Sequence, residues 1–149
     1  MSTYTTIPET VNARKVLVPY VLGVLGSLLV IHLVIAFGGG RIGPLVQVLM
    51  VVLALGMAAW FIWQRRALAR IRFGTVVAHA FSYVAVVSSF QIHALVQGVR
   101  AGANGTAMDM ANLLLGTPWF GFTLQIGALW GIGLMIHIIG TILGRGWED

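Results

Sequence analysis

Cysteine is absent from the 149 residues. Its absence excludes a disulfide framework, a thiolate metal site and an iron–sulfur cluster. Acid is nearly absent as well: Asp and Glu number four, at Glu9, Asp109, Glu148 and Asp149. None falls inside an apolar run. A zinc or copper site completed by carboxylates therefore has no ligands there, and a proton relay has no acidic partner. Charged residues of both signs make up 9% of the chain against 58% apolar, and mean hydropathy is +0.93. That balance excludes an ordinary soluble domain and defines an all-α integral membrane protein. With no intramembrane acid, no nucleophile constellation and no broken helix pair beyond Pro19, a hydrolase or transporter has little support and a non-enzymatic role is favoured. The one glycine run, Gly38–Gly40, is followed by no Lys-Ser/Thr and is a turn, not a phosphate loop.

What the chain does carry is basic charge, nine Lys and Arg for a net +5. These residues flank the apolar runs, so they orient helices and do not point to nucleic acid. Residues 1–15 read as a polar tail, with no short apolar core and cleavage site of a signal peptide. A first transmembrane hairpin spans 16–63: helix 1 from Val16 to Phe37, broken at Gly38–Arg41, then helix 2 from Pro44 to Trp63. Pro44 suits a first helical turn, and Trp60 and Trp63 suit an interface. Gly23, Gly26 and Ser27 offer helix 1 a small surface for close contact. A second hairpin spans 64–143, after the basic loop Gln64–Phe73. Helix 3 begins at about Thr75, a loop at Gly98–Gly116 contains a short interfacial helix (108–115), and Thr117-Pro118 starts helix 4. Residues 144–149 form a polar tail. Seven basic residues (Arg14, Lys15, Arg65, Arg66, Arg70, Arg72, Arg145) fall on one side and two (Arg41, Arg100) on the other. The positive-inside rule then predicts an up-down-up-down four-helix bundle with both termini cytoplasmic, multi-pass in a bacterial inner membrane. Its partners are the lipid bilayer and either other subunits or a second copy.

Helix 3 organises the reading. Thr75–Gln97 is long enough to span a bilayer and carries His79 and His93, fourteen residues apart. On a helix that is ~21 Å of rise, with the two rings within ~40° of one face. Ser82, Tyr83, Val86, Ser89, Phe90 and Gln97 share the stripe, which must meet protein or a cofactor in preference to lipid.

The second hairpin resembles the 2TM domain, a bacterial two-helix membrane module. The resemblance rests on His79-x3-Tyr83 after a basic approach, and on Trp119-Phe120 followed by Trp130-Gly131-Ile132-Gly133-Leu134-x2-His137. It covers residues 70–143 and leaves the first hairpin outside. The loop is longer than the family pattern, and Ser88-Ser89 stand where asparagine is common. The resemblance implies a membrane hairpin and singles out His79 and His137; it implies no activity.

All four histidines fall within predicted helices. Helix direction pairs His79 with His137 near the cytoplasmic side and His32 with His93 near the periplasmic side. Two imidazoles from facing helices are what a six-coordinate haem b needs, without covalent attachment. Two such sites ~20 Å apart would carry electrons across the bilayer. The stripe Thr123, Ile126, Trp130, Gly133, His137, Gly140 and Thr141 offers the inner pair room for a flat ligand. The face around His32 is otherwise apolar, so lipid headgroups or a partner subunit are alternatives for it. The expected function is haem b or related tetrapyrrole binding, for electron transfer or membrane anchoring. The alternative is a cofactor-free 2TM-type signalling or scaffolding module, whose histidines are structural hydrogen-bonders: His79 to Tyr83, or His137 to Ser82.

Overall fold

The computed structural model describes residues 11–116 and 118–144. Their regular structure is entirely helical: α1 (Ala13–Phe37), α2 (Pro44–Arg70), α3 (Gly74–Asn104), α4 (Ala107–Leu115), a π-helical turn (Gly121–Gln125) and α5 (Ile126–Gly144). Four helices are long and apolar enough to cross a membrane, namely α1, α2, α3 and the last one counted from Gly121. The chain is a multi-pass helical membrane protein.

The Asn12 side chain caps α1 by accepting from the Arg14 amide at 3.0 Å. Gly38–Gly40 end it, with Gly39 and Gly40 at φ of 72° and 76°, a region that costs side-chain-bearing residues strain. Pro44 opens α2 as expected. That helix runs seven residues past Trp63, to Arg70, where a loop was expected. The reason is local: Gln-Arg-Arg-Ala-Leu-Ala-Arg consists of strong helix formers, and Leu68 within it is buried. The connection to α3 shrinks to Ile71–Phe73. Gly74 sits so close to the Leu68 carbonyl that a Cβ there would lie 2.7 Å from it. Helix α3 also outruns expectation, to Asn104. The short interfacial helix is present as α4, closed by a capping box between Thr106 and Asp109. Thr117, the N-terminal tail through residue 10 and the tail from Arg145 lie outside the described residues.

Helix α3 is the hub. It packs against α1, α2, α4, the π turn and α5, whereas no α-carbon of α5 comes within 8 Å of one in α1 or α2 among the described residues. Its buried residues, Val87 apart, recur every fourth position: Gly74, Ala78, Ser82, Val86, Phe90, Ala94 and Gly98. Small side chains at both ends of that row let neighbouring helices approach closely. Helix α1 meets it with Tyr20, Val24, Leu28, Ile31 and Ile35. The predicted small surface of α1 does not make this contact: a Cβ at Gly23 or Gly26 would meet nothing within 4 Å. Close approach needs small residues on one partner only, and α3 supplies them. Tyr20 pairs with Ser82 and His32 with His93, so α1 and α3 run in the same sense. Gly127 meets Val87, Gly131 meets Tyr83 and His137 meets His79, so α5 runs against α3.

Two outcomes follow from these turns and caps. A Cβ at Gly40 would sit 2.6 Å from the Gln97 amide and at positive φ, so Gly40→Ala lowers stability by about 1–2 kcal/mol, read as a shifted unfolding midpoint in detergent. The Thr106 amide, first, and its hydroxyl donate to the Asp109 carboxylate and hold its pKa below the usual range. A carboxylate with a lowered folded pKa stabilises above its unfolded value and loses that contribution as pH falls through the folded one. Protection of the Thr106 and Asp109 amides from exchange, relative to the intrinsic rate at each pH, therefore falls at pH below the ordinary carboxylate range, and in Asp109→Asn it is low at neutral pH as well.

Candidate functional site

Polar side chains collect at two levels along α3. At the end bearing the Gly38–Gly40 turn, His32 and His93 face each other with their Nδ1 atoms 3.0 Å apart. The Gln97 amide nitrogen lies 3.3 Å from His93 Nε2 and donates to it. A neutral His93 then carries its proton on Nδ1 and donates to His32 Nδ1, which leaves His32 with an Nε2–H. That atom is buried and has no partner among the described residues. The histidines are clamped by aromatics: Phe90 lies 4.8 Å from the His32 ring and Trp119 5.5 Å from the His93 ring, centroid to centroid. The Trp119 indole N–H donates to the Gly40 carbonyl at 3.3 Å. This one cluster thereby ties together the α1–α2 turn, α3 and the segment leading into α5.

Two ligands on opposite sides of one metal, each bonded at about 2 Å, stand about 4 Å apart. The His32 and His93 nitrogens are closer than that and share a hydrogen bond. The pair expected to hold a second tetrapyrrole is joined by a hydrogen bond across α1 and α3, with ring centroids 5.0 Å apart.

The other level is built differently. His79 and His137 touch edge to face, with centroids 4.9 Å apart. Phe61 of α2 stacks on His79 at 4.0 Å and 11°. His79 Nδ1 lies 3.1 Å from the Thr75 carbonyl. A carbonyl only accepts, so Nδ1 carries the proton and Nε2 keeps a free lone pair. This is the arrangement by which ligating histidines are oriented and made more basic. Neither alternative bond forms: Ser82 donates to the Ala78 carbonyl at 2.7 Å and accepts from the Tyr20 hydroxyl, while the Tyr83 hydroxyl faces Gly131.

Beside His79 lies a groove of ≈ 640 Å³ between α2 and α5, floored by α3. Met57 and Phe61, His79 and Ser82, and Phe122 and Trp130 line it from the three sides. It exists because α5 leans on α3 and stays clear of α2. On α5 the expected roomy positions, Gly133 and Gly140, face open space instead of a neighbour. The close packing is made by Gly127 against Val87 and Gly131 against the Tyr83 hydroxyl, at 3.4 and 3.0 Å for an added Cβ. The sequence signal for this was the Gly127-x3-Gly131 spacing, the small-residue motif of close helix pairs. The π turn next to the groove, in which the Thr123 hydroxyl donates to the Trp119 carbonyl at 2.8 Å, carried no such signal.

Comparison with protein-family models, curated proteins and solved structures finds no match to this chain.

Removing either member of the hydrogen-bonded pair strands the other in apolar surroundings. His93→Ala or His32→Ala is expected to cost about 1–3 kcal/mol. A double-mutant cycle between them should give a coupling of about 0.6–1.7 kcal/mol, the range for polar contacts between membrane helices. Steric trapping or detergent unfolding would measure both.

Proposed function

We propose that this protein is a small tetrapyrrole-binding subunit of a bacterial inner membrane, with haem b as the first candidate, serving electron transfer or anchoring within a larger complex. The helices would run up-down-up-down with both termini cytoplasmic, since basic residues crowd the α1 start and the α2–α3 connection. The observation that carries the reading is the state of His79: Nδ1–H committed to the Thr75 carbonyl, Nε2 free, at the end of an apolar groove. Phe61 fixes the plane of that imidazole from α2. His137, whose ring centroid is 4.9 Å from that of His79, would have to draw back to serve as a second imidazole, so the reading rests on His79 as the first ligand. Bound there, an iron tetrapyrrole supplies one-electron transfer. Trp130, Phe122 and Met57 give the groove the apolar walls that a macrocycle requires and keep water away from it. The reading takes one site per chain, at His79 and His137, and leaves His32 and His93 to hold helices together.

A second reading is supported by that same His32–His93 bond, in which one histidine side chain joins another across two helices. In it the chain is a non-enzymatic membrane module of the 2TM type that signals or scaffolds through helix packing, and the inner pair is a packing contact.

An absorption spectrum of protein purified from haem-sufficient cells, oxidised and then dithionite-reduced, separates the two. Haem binding gives a Soret band that sharpens on reduction, at one haem per chain. His79→Ala abolishes it, and His137→Ala abolishes it or converts it to a high-spin spectrum. His32→Ala and His93→Ala retain it. A colourless wild-type protein sinks the tetrapyrrole reading in favour of the module.

A further inference from the structure

A second groove, of ≈ 720 Å³, lies between α1 and α2, and of the residues that line the His79 groove only Met57 also lines it. Its floor is apolar or small, with Gly23, Ser27 and Gly56 open along it, and its one charged lining residue is Lys15. Lys15 stands at one end beside Trp63 and Gln64; Val30 and Leu49 mark the other. From Lys15 to Val30 the groove follows ~22 Å of helix. Half of a bilayer's hydrocarbon core is ~15 Å thick, so the groove accepts one acyl chain with room for the glycerol linkage at its mouth. Pro19 has no N–H, so the Lys15 carbonyl lacks its i+4 donor. The mouth therefore presents a cation on a residue whose carbonyl Pro19 cannot serve. Arg14, Arg65 and Arg66 flank it in sequence, and no acid occurs between Asn12 and Met108.

We infer that this groove is a binding site for one anionic glycerophospholipid, its acyl chain along Gly23, Ser27 and Gly56 and its phosphate on Lys15. A hydroxylated headgroup such as phosphatidylglycerol also donates to the Lys15 carbonyl. Charge decides against a second copy of this chain as occupant. Two such faces related by a two-fold axis along the membrane normal would bring Lys15 and the arginines of both copies together, and no described residue before Asp109 is acidic to offset them.

The test is native mass spectrometry of the full chain in detergent, equilibrated with equimolar phosphatidylglycerol and phosphatidylcholine. One phospholipid is retained per chain, with phosphatidylglycerol favoured about fivefold, the weight of one lysine beside an anionic headgroup. Lys15→Gln abolishes the preference, and Arg41→Gln, at the other end of α1, leaves it intact. Gly56→Phe puts a ring into the groove at a position where an added Cβ meets nothing within 4 Å, and it reduces retention of both lipids. Equal retention of the two lipids by the wild type, or a preference that survives Lys15→Gln, overturns the proposal. So does a two-chain mass that Gly56→Phe dissociates, which would assign the groove to a second copy.

Discussion

The hydrogen bond between His32 and His93 is the contact on which the arrangement of the helices depends. In a bilayer the apolar faces of helices gain little by meeting one another, because lipid is as apolar as leucine. Specificity has to come from close packing and from polar groups that lipid cannot satisfy. The imidazole pair supplies the second at one level of α1 and α3, and Tyr20 with Ser82 supplies it three turns away. Two polar contacts at different heights fix the register and the rotation of α1 on α3 together. Trp119 and Gln97 extend the first contact to the Gly40 turn and to the segment before α5. A single polar cluster thereby sets the positions of four chain segments.

The two levels of α3 use the same residue type for opposite purposes, and the difference lies in what holds each Nδ1. At the His32 level Nδ1 is turned to the neighbouring helix, so the ring's bonding capacity goes into assembly. At the His79 level Nδ1 is turned back to the same helix, onto Thr75. The ring is oriented at no expense to the interhelical face, and its other nitrogen stays available. The packing around the levels matches. Aromatic residues enclose the His32–His93 pair on both sides. At His79, α5 rests on α3 through Gly127 and Gly131 and leaves an open groove against α2.

Much of the fold was legible from the sequence because its signals are long and local: four apolar runs, a glycine turn and a proline start. The pairing of His79 with His137 and of His32 with His93 was legible as well, since it needs only helix direction and depth. Bond geometry was not. Whether His93 spends Nδ1 on His32 depends on a rotamer and on Gln97, which no spacing encodes. The small residues misled for a related reason. Gly23, Gly26, Gly133 and Gly140 share a composition with Gly127 and Gly131, but only contact with α3 sorts them into packed and open. The length of α2 was misjudged because basic residues were taken to end a helix. Arginine is a good helix former, and Leu68 gives that extension an apolar anchor.

The open glycines have their own logic. A membrane helix with glycine on an unpacked face forgoes side-chain burial and gains a flat surface. On α1 that surface borders a groove whose mouth holds Lys15; on α5 Gly133 and Gly140 keep the side opposite the α3 contact thin. Neither face is satisfied within the chain, and each is apolar along its length. The bundle is thus built around α3 as an inner scaffold with two unfilled flanks, one ending at a lysine and one ending at an imidazole. The charge at the first matches a phosphate, and the lone pair at the second matches a metal-bearing ring. The two grooves thus differ in the chemistry at their ends, and Met57 of α2 lines both.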